Sequence, residues 1–236
     1  MKYGLSLLLG FVTGAILFCL LLYFNPFAGT QSISPLAMTN QRILNLSFSS
    51  VSGETLILTN DGESVPSPHP VKVLQLWEPT IGKTSAMVVM LLDSRGEAAG
   101  IGIKIWSESE KTDILNAKLL VDSIWHIHLP EKGTFLVDQQ ENYWSYLRDV
   151  VVPAHRSSGD NWRGTWSGVM TVGPNALGTG RVTGGSGDFA GIETEAIESR
   201  TARAYSVAAG PVAMRGTLTI TLPDEQSNEK AESAAF

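Results

Sequence analysis

The chain has one cysteine, Cys19, in 236 residues. No disulfide can close within it, so the fold must rest on packing. Charge is scarce too: 17% of residues are Asp, Glu, Lys or Arg, and the formal net charge is −6. No basic stripe gathers anywhere, which argues against nucleic acid as a partner. Part of the acidity sits at the end of the chain, where Asp224, Glu225, Glu229 and Glu232 face only Lys230. Phosphate-binding loops are missing as well. The one glycine-rich stretch has neither P-loop spacing nor a following Lys-Ser/Thr. A nucleophile elbow is excluded because neither Ser167 nor Ser186 has glycine at both −2 and +2. No cofactor is implied. What is present is apolar: 43% of the residues are hydrophobic, enough for a real core.

The longest apolar run is Leu5 to Phe24, twenty residues without a charge. At 1.5 Å per residue that length spans a hydrocarbon core of ~30 Å. A cleaved signal peptide has a shorter apolar region followed by a small-x-small site, and here Pro26 follows instead. Phe18 before Cys19 speaks against a lipoprotein signal. The expectation is a single-pass anchor over residues 1–24 in the cell inner membrane, with lipid around it. Lys2 places the N-terminus in the cytoplasm and the rest of the chain in the periplasm. Ser6, Gly10 and Gly14 recur every fourth residue and offer one smooth face to another transmembrane helix, from a second copy or a larger membrane complex.

Residues 25–40 read as a linker, 41–222 as the folded domain and 223–236 as a disordered acidic tail. Period-two patterns dominate the domain. Met214, Gly216, Leu218, Ile220 and Leu222 alternate with polar residues. Trp166, Gly168, Met170 and Val172 oppose Thr165, Ser167, Val169 and Thr171. Ala99, Ile101, Ile103 and Ile105 form a row expected to face inward, with Gly100, Gly102 and Lys104 outward. Turn signals stand at Ser52-Gly53, Asp93–Gly96 and Pro130–Gly133. One amphipathic helix is expected from an Asp138 cap through Val151, stopped by Pro153. The fold class is mainly β: eight to ten strands spaced by turns, an antiparallel barrel or sandwich, with one amphipathic helix and preceded by a transmembrane helix.

Six glycines fall within Gly178 to Gly191. The segment Gly184-Gly185-Ser186-Gly187-Asp188-Phe189-Ala190-Gly191 resembles the Gly-Gly-Thr-Gly-x-Phe-x-Gly signature of the dirigent and allene-oxide-cyclase-like β-barrel group. The resemblance covers residues 164–222 and departs at Thr194, where the pattern usually has glycine. It implies eight antiparallel strands and, in several members, an apolar small molecule held or cyclised in the barrel. Gly184, Gly185, Gly187 and Gly191 are expected to form a tight structural turn with positive φ at one glycine or more.

Candidate chemistry is sparse. His126 and His128 form an H-x-H, a possible metal pair lacking a third ligand unless His155 or Glu141 joins them. Trp125, Ile127 and Leu129 make the apolar row, so the histidines point away from the core. On the strand from Glu193 to Val207, one parity carries Glu195, Arg203 and Tyr205, which would enter the lumen if the Tyr205 face looks inward. Two functions remain. The first is a non-catalytic accessory or binding subunit of a membrane complex, favoured because no nucleophile, metal triad or cofactor loop is legible. The alternative is a dirigent- or allene-oxide-cyclase-like isomerase or cyclase acting on an apolar small molecule. What separates them is whether the interior is filled or holds a pocket lined by ionisable groups.

Overall fold

The computed structural model describes residues 2–23, 42–51, 56–59 and 84–222, with side chains described for 10–20, 42–51 and 84–222. The expected linker, the acidic tail and the Ser52-Gly53 turn lie outside the described residues. Lys2–Tyr23 (α1) is one helix. Its described side chains run only from Gly10 to Leu20, and among the described residues no helix is long and apolar enough to cross a membrane. The expected transmembrane helix is therefore met as a helix and not as a span.

The described residues form eleven strands: β1 (Arg42–Ser49), β2 (Leu56–Thr59), β3 (Thr84–Leu92), β4 (Ala98–Glu108), β5 (Leu120–Leu129), β6 (Gly133–Asn142), β7 (Asn161–Val169), β8 (Thr171–Gly173), β9 (Gly180–Gly187), β10 (Glu193–Ser206) and β11 (Gly210–Leu222). They pair antiparallel in the order β1-β11-β10-β9-β6-β5-β4-β3, and Ser47 opposite Leu92 joins β3 back to β1. The ring of eight strands implied by the resemblance of the glycine segment is thus formed, with β2 on the flank of β3. Between β6 and β10 the ring forks. β9 fills the gap at one end, and β7 with β8 fills it at the other.

Turn chemistry sets the hairpins. At the β3–β4 turn, Asp93 Oδ1 accepts from the Arg95 and Glu97 N–H groups at 2.8 and 3.0 Å, and Gly96 takes φ +83°. Such a side-chain-closed turn needs a short acidic residue first and a left-handed residue later.

The inward rows agree with expectation on β11, where Met214, Leu218, Ile220 and Leu222 are all buried. Gly216 in that row is required by packing. A Cβ there would stand 2.1 Å from the Phe48 ring, whose edge meets Trp125 at 4.8 Å between centroids. On β4 the expectation is reversed. Gly102 and Lys104 face inward, while Ile101, Ile103 and Ile105 are 51, 36 and 45% exposed. The cause is Trp125: a Cβ at Gly102 would approach its ring to 2.9 Å. Only glycine fits opposite that indole, so the isoleucines take the outer face.

The expected helix is also corrected. Asp138 and Glu141 belong to β6, and the helical segment starts at Trp144. It runs through α2 (Trp144–Tyr146), a π-helical turn (Leu147–Val151) and α3 (Val152–Arg156). Pro153 lies within this segment instead of ending it. The wider π turn just before it suits a residue that has no N–H to donate.

Two apolar clusters fill the ring. The larger contains Phe48, Trp125, Ile127, Phe135, Phe189 and Leu218; the smaller gathers Tyr146, Val150, Trp166, Met170, Ala202 and Met214 beneath the helical segment.

Candidate functional site

A polar layer occupies the lumen between the two clusters. Lys104 of β4, Gln139 and Glu141 of β6, and Glu198 of β10 are each no more than 1% exposed. Lys104 Nζ stands 2.6 Å from Glu141 Oε1 and 2.8 Å from Glu198 Oε2. Arg200, two residues along β10 and on the same face, donates from Nε to Glu198 Oε1 at 2.8 Å, and its Nη2 lies 3.5 Å from Glu141 Oε2. Trp125 Nε1 and Gln139 Nε2 donate to Glu198 Oε2, and Ser123 Oγ donates to Glu141 Oε1. Tyr143 OH donates to Glu141 Oε2 at 3.0 Å, while the Arg200 guanidinium sits 5.3 Å from the centre of the Tyr143 ring. Thr171 Oγ1 accepts from the Glu198 N–H at 2.7 Å and donates to Gln139 Oε1.

Two carboxylates and two cations balance, which is the condition for burying charge at all. Burial works against the Glu198 charge, but Lys104 and Arg200, with hydrogen bonds from Lys104 and Trp125, hold its carboxyl well below the usual range. Burial likewise opposes the Arg200 charge, and Tyr143, Glu198 and Glu141 overcome it, so the guanidinium stays cationic. Burial, above all, pushes the Tyr143 phenol well above its ordinary value despite Arg200, with Glu141 and Glu198 adding to the rise. Tyr146 is raised as well, again chiefly by burial. Both phenols therefore stay protonated at any working pH and do not serve as bases.

Above this layer, under the helical segment, lies a cavity of about 450 Å³ that opens to the surface. Its walls are mostly apolar: Met87, Trp106, Leu120, Leu147, Val151 and Met214. Arg200 and Tyr143 contribute its polar side, Glu108 also lines it and is exposed, and Ser50 and Tyr146 complete the lining. The hydroxyls of Ser50 and Tyr146 are buried and have no hydrogen-bond partner among the described residues. Buried orphan hydroxyls are uncommon enough to call for a cause. A volume of this size, apolar with a few polar groups, is the usual form of a small-molecule site.

The candidates from the sequence fall elsewhere. His126 and His128 are exposed on the outer face, as their apolar neighbours implied. Glu141 is sealed in the lumen and His155 is exposed on α3, so these residues do not come together. Among the described residues no group of three His, Cys, Asp or Glu is placed for a metal. Glu195 is half-buried on the outer face, opposite Arg181. Arg203 is exposed and donates to Thr165 Oγ1 at 2.8 Å. Only Tyr205 turns in, because the register of β10 shifts between Ala202 and Ala204; its ring lies 6.2 Å from Tyr146. The ionisable groups of the lumen sit on the other parity, at Glu198 and Arg200. Their legible signal was the company of Ala196 and Ala202: small residues beside charges on one face leave room for a buried ion network.

The glycine turn lies at the opposite end of the ring. Gly187 and Gly191 take φ of +62° and +72°, while Gly184 and Gly185 keep ordinary values. A Cβ on Gly184 would collide with the Phe189 carbonyl, and one on Gly185 would stand 2.9 Å from Thr134 Oγ1. On α1, Gly10 and Gly14 have open space beside them, and the Ser6 side chain is outside the described residues.

No family model matches this chain, and no curated protein matches it in sequence. The chain is similar to several solved structures, including a cyclase and a Diels Alderase. One is a nonspecific heme-binding cyclase that catalyses [4 + 2] cycloaddition during neoabyssomicin biosynthesis: 11% identity, 84% of this chain and 75% of that one covered, TM-score 0.35. The other is the Diels Alderase AbmU from Streptomyces koyangensis: 10% identity, 90% and 88% covered, TM-score 0.34. The expectation of a non-catalytic accessory subunit is overturned. The interior is not filled: it holds a cavity beside four ionisable side chains, the feature that separates the two functions.

Proposed function

We propose that this protein is a barrel enzyme, an isomerase or cyclase, acting on an apolar small molecule bound beneath the helical segment. One observation carries the reading: a 450 Å³ apolar cavity bordered by Arg200 and Tyr143, which a charge-balanced layer holds in place. The catalytic contribution is of two kinds. The walls fold a flexible substrate so that its reacting atoms approach, which removes entropy from the barrier. Arg200 presents a fixed donor group where negative charge develops on an oxygen of the substrate, and Tyr143, its hydroxyl donating to Glu141, packs its ring against the guanidinium. Neither effect changes the composition of the substrate, so the product is an isomer. The closer kinship to dirigent and allene-oxide-cyclase-like barrels belongs to this same reading, supported by the glycine segment and the eight-stranded ring.

We place the domain beside a membrane on the strength of the charge-free run from Leu5 to Phe24, with α1 as the tether in lipid and the barrel on the periplasmic side. Apolar substrates concentrate in lipid, and a tether would set the cavity close to them.

The test is a mass-neutral conversion. Purified protein is incubated with an apolar extract of the source cells and the products are followed by chromatography with mass detection. One compound should give way to another of identical mass, and Arg200→Lys should abolish the change. No conversion, or only conversions that change mass, would contradict the reading.

A further inference from the structure

Resting on that reading of the cavity, we infer that its ligand is uncharged and anchors a carbonyl-type oxygen on Arg200. The hydrogen-bond inventory around the cavity decides this. Each carboxylate has about four acceptor sites. Glu198 already accepts from Lys104, Trp125, Gln139 and Arg200, and Glu141 from Ser123, Gln139, Lys104, Tyr143 and Arg200. No acceptor capacity is left in the layer for a ligand's donors, and a cationic ligand would find no free carboxylate there.

Donors are left over. Arg200 carries five N–H groups, and the described residues engage only its Nε and Nη2. Arg200 faces the lumen and lines the cavity, so the unused Nη1 edge is what it has to offer a ligand. The orphaned hydroxyls of Ser50 and Tyr146 belong to the same lining. A ligand complementary to this set brings an acceptor.

Charge decides what kind of acceptor. Lys104 and Arg200 are neutralised by Glu141 and Glu198, so no net positive field awaits an anion. Glu108 in the lining opposes one. A carboxylate entering these apolar walls would lose its hydration without a free cation in return. A ketone, ester or enone oxygen loses far less and gains a charge-assisted hydrogen bond. The same bond draws electron density from the conjugated system joined to that carbonyl, which lowers the barrier to ring closure across it. No electron source, oxidant or proton transfer is needed for that step.

Three matched probes test the inference on the full-length protein: β-ionone, a ketone; the hydrocarbon lacking its oxygen; and β-ionylideneacetate, a carboxylate. Binding is read from quenching of tryptophan fluorescence, since Trp106 lines the cavity. The ketone should bind about tenfold or more tighter than either other probe. Its carbonyl stretch should move to lower wavenumber on binding, a signature that needs no variant. Arg200→Lys keeps the charge but loses the planar donor edge, so it should remove the ketone's advantage over the hydrocarbon. Carboxylate binding as tight as the ketone's, or an unshifted carbonyl stretch in the bound ketone, would overturn the inference while leaving the cavity reading intact. Failure of all three probes to bind would overturn the cavity reading itself.

Discussion

The two ends of the ring are closed by different means. At one end the glycine turn folds Phe189 back over the sheet, where its ring lies 4.8 Å from Phe135 and the gap beside them admits no water molecule. At the other end the helical segment spans the opening without filling it, and about 450 Å³ remain beneath. A Phe side chain plugs one end directly; a helical cap stands off the other by the width of its side chains. The filled end holds the fold together, and the capped end is free to bind.

The difference can be broken most forcefully at the layer between the ends. Lys104→Met leaves two buried carboxylates with Arg200 alone and should cost about 3–5 kcal/mol in urea unfolding. At the filled end, Phe135→Ala should cost about 3–5 kcal/mol, because the plug cannot collapse around the gap. The capped end should behave otherwise: Leu147→Ala, on a half-buried residue over existing space, should cost roughly 1–2 kcal/mol or less. Equal costs for Phe135→Ala and Leu147→Ala would erase the contrast. Gly187→Val forces a β-branched side chain into positive φ, with its Cβ at 2.3 Å from the Lys132 carbonyl, and should cost about 1–3 kcal/mol.

Acid titration sharpens the role of the layer. The Glu198 carboxyl is depressed in the folded state relative to the unfolded chain. Its contribution to stability is therefore complete above the unfolded carboxylate value, about 4.3, and is lost as pH falls below that toward the depressed folded value. Urea midpoints measured from pH 6 downward should fall over that window, and Glu198→Gln should flatten the fall. On the alkaline side, absorbance of phenolate should show Tyr143 and Tyr146 still protonated until the protein unfolds. The smallest effects belong outside the ring, where Ile103→Ser and His126→Ala should each stay within about 0.5 kcal/mol.

How much of this was legible depended on what faces the lumen. On β11, large apolar residues point in, and alternation gave the right face at every position from Met214 to Leu222. On β4 and β10 the lumen holds glycine, alanine and charge, so the rule that apolar means inside pointed the wrong way. Ile101, Ile103 and Ile105 went out because Trp125 allows only glycine opposite it. Glu195 and Arg203 would be lumenal only if the whole Tyr205 parity faced inward, and the shift after Ala202 moves Tyr205 across without them. Alternation gives parity; which parity is inner depends on pairing partners far away in sequence. Glu141 was assigned to a helix for a related reason, since its run of large residues suits a strand end followed by a helical turn equally well. Local turn signals, by contrast, gave a strand count close to the one observed, and closure into eight came with the resemblance of the glycine segment.

The central claim is that the capped end binds a small apolar molecule. Calorimetric titration of β-ionone into wild-type protein and into Leu147→Trp tests it most directly, because a tryptophan there occupies the space beneath the cap. The account predicts saturable binding at one site in the wild type, lost in the variant while its melting temperature is held or raised. Undiminished binding in a folded Leu147→Trp protein would contradict it.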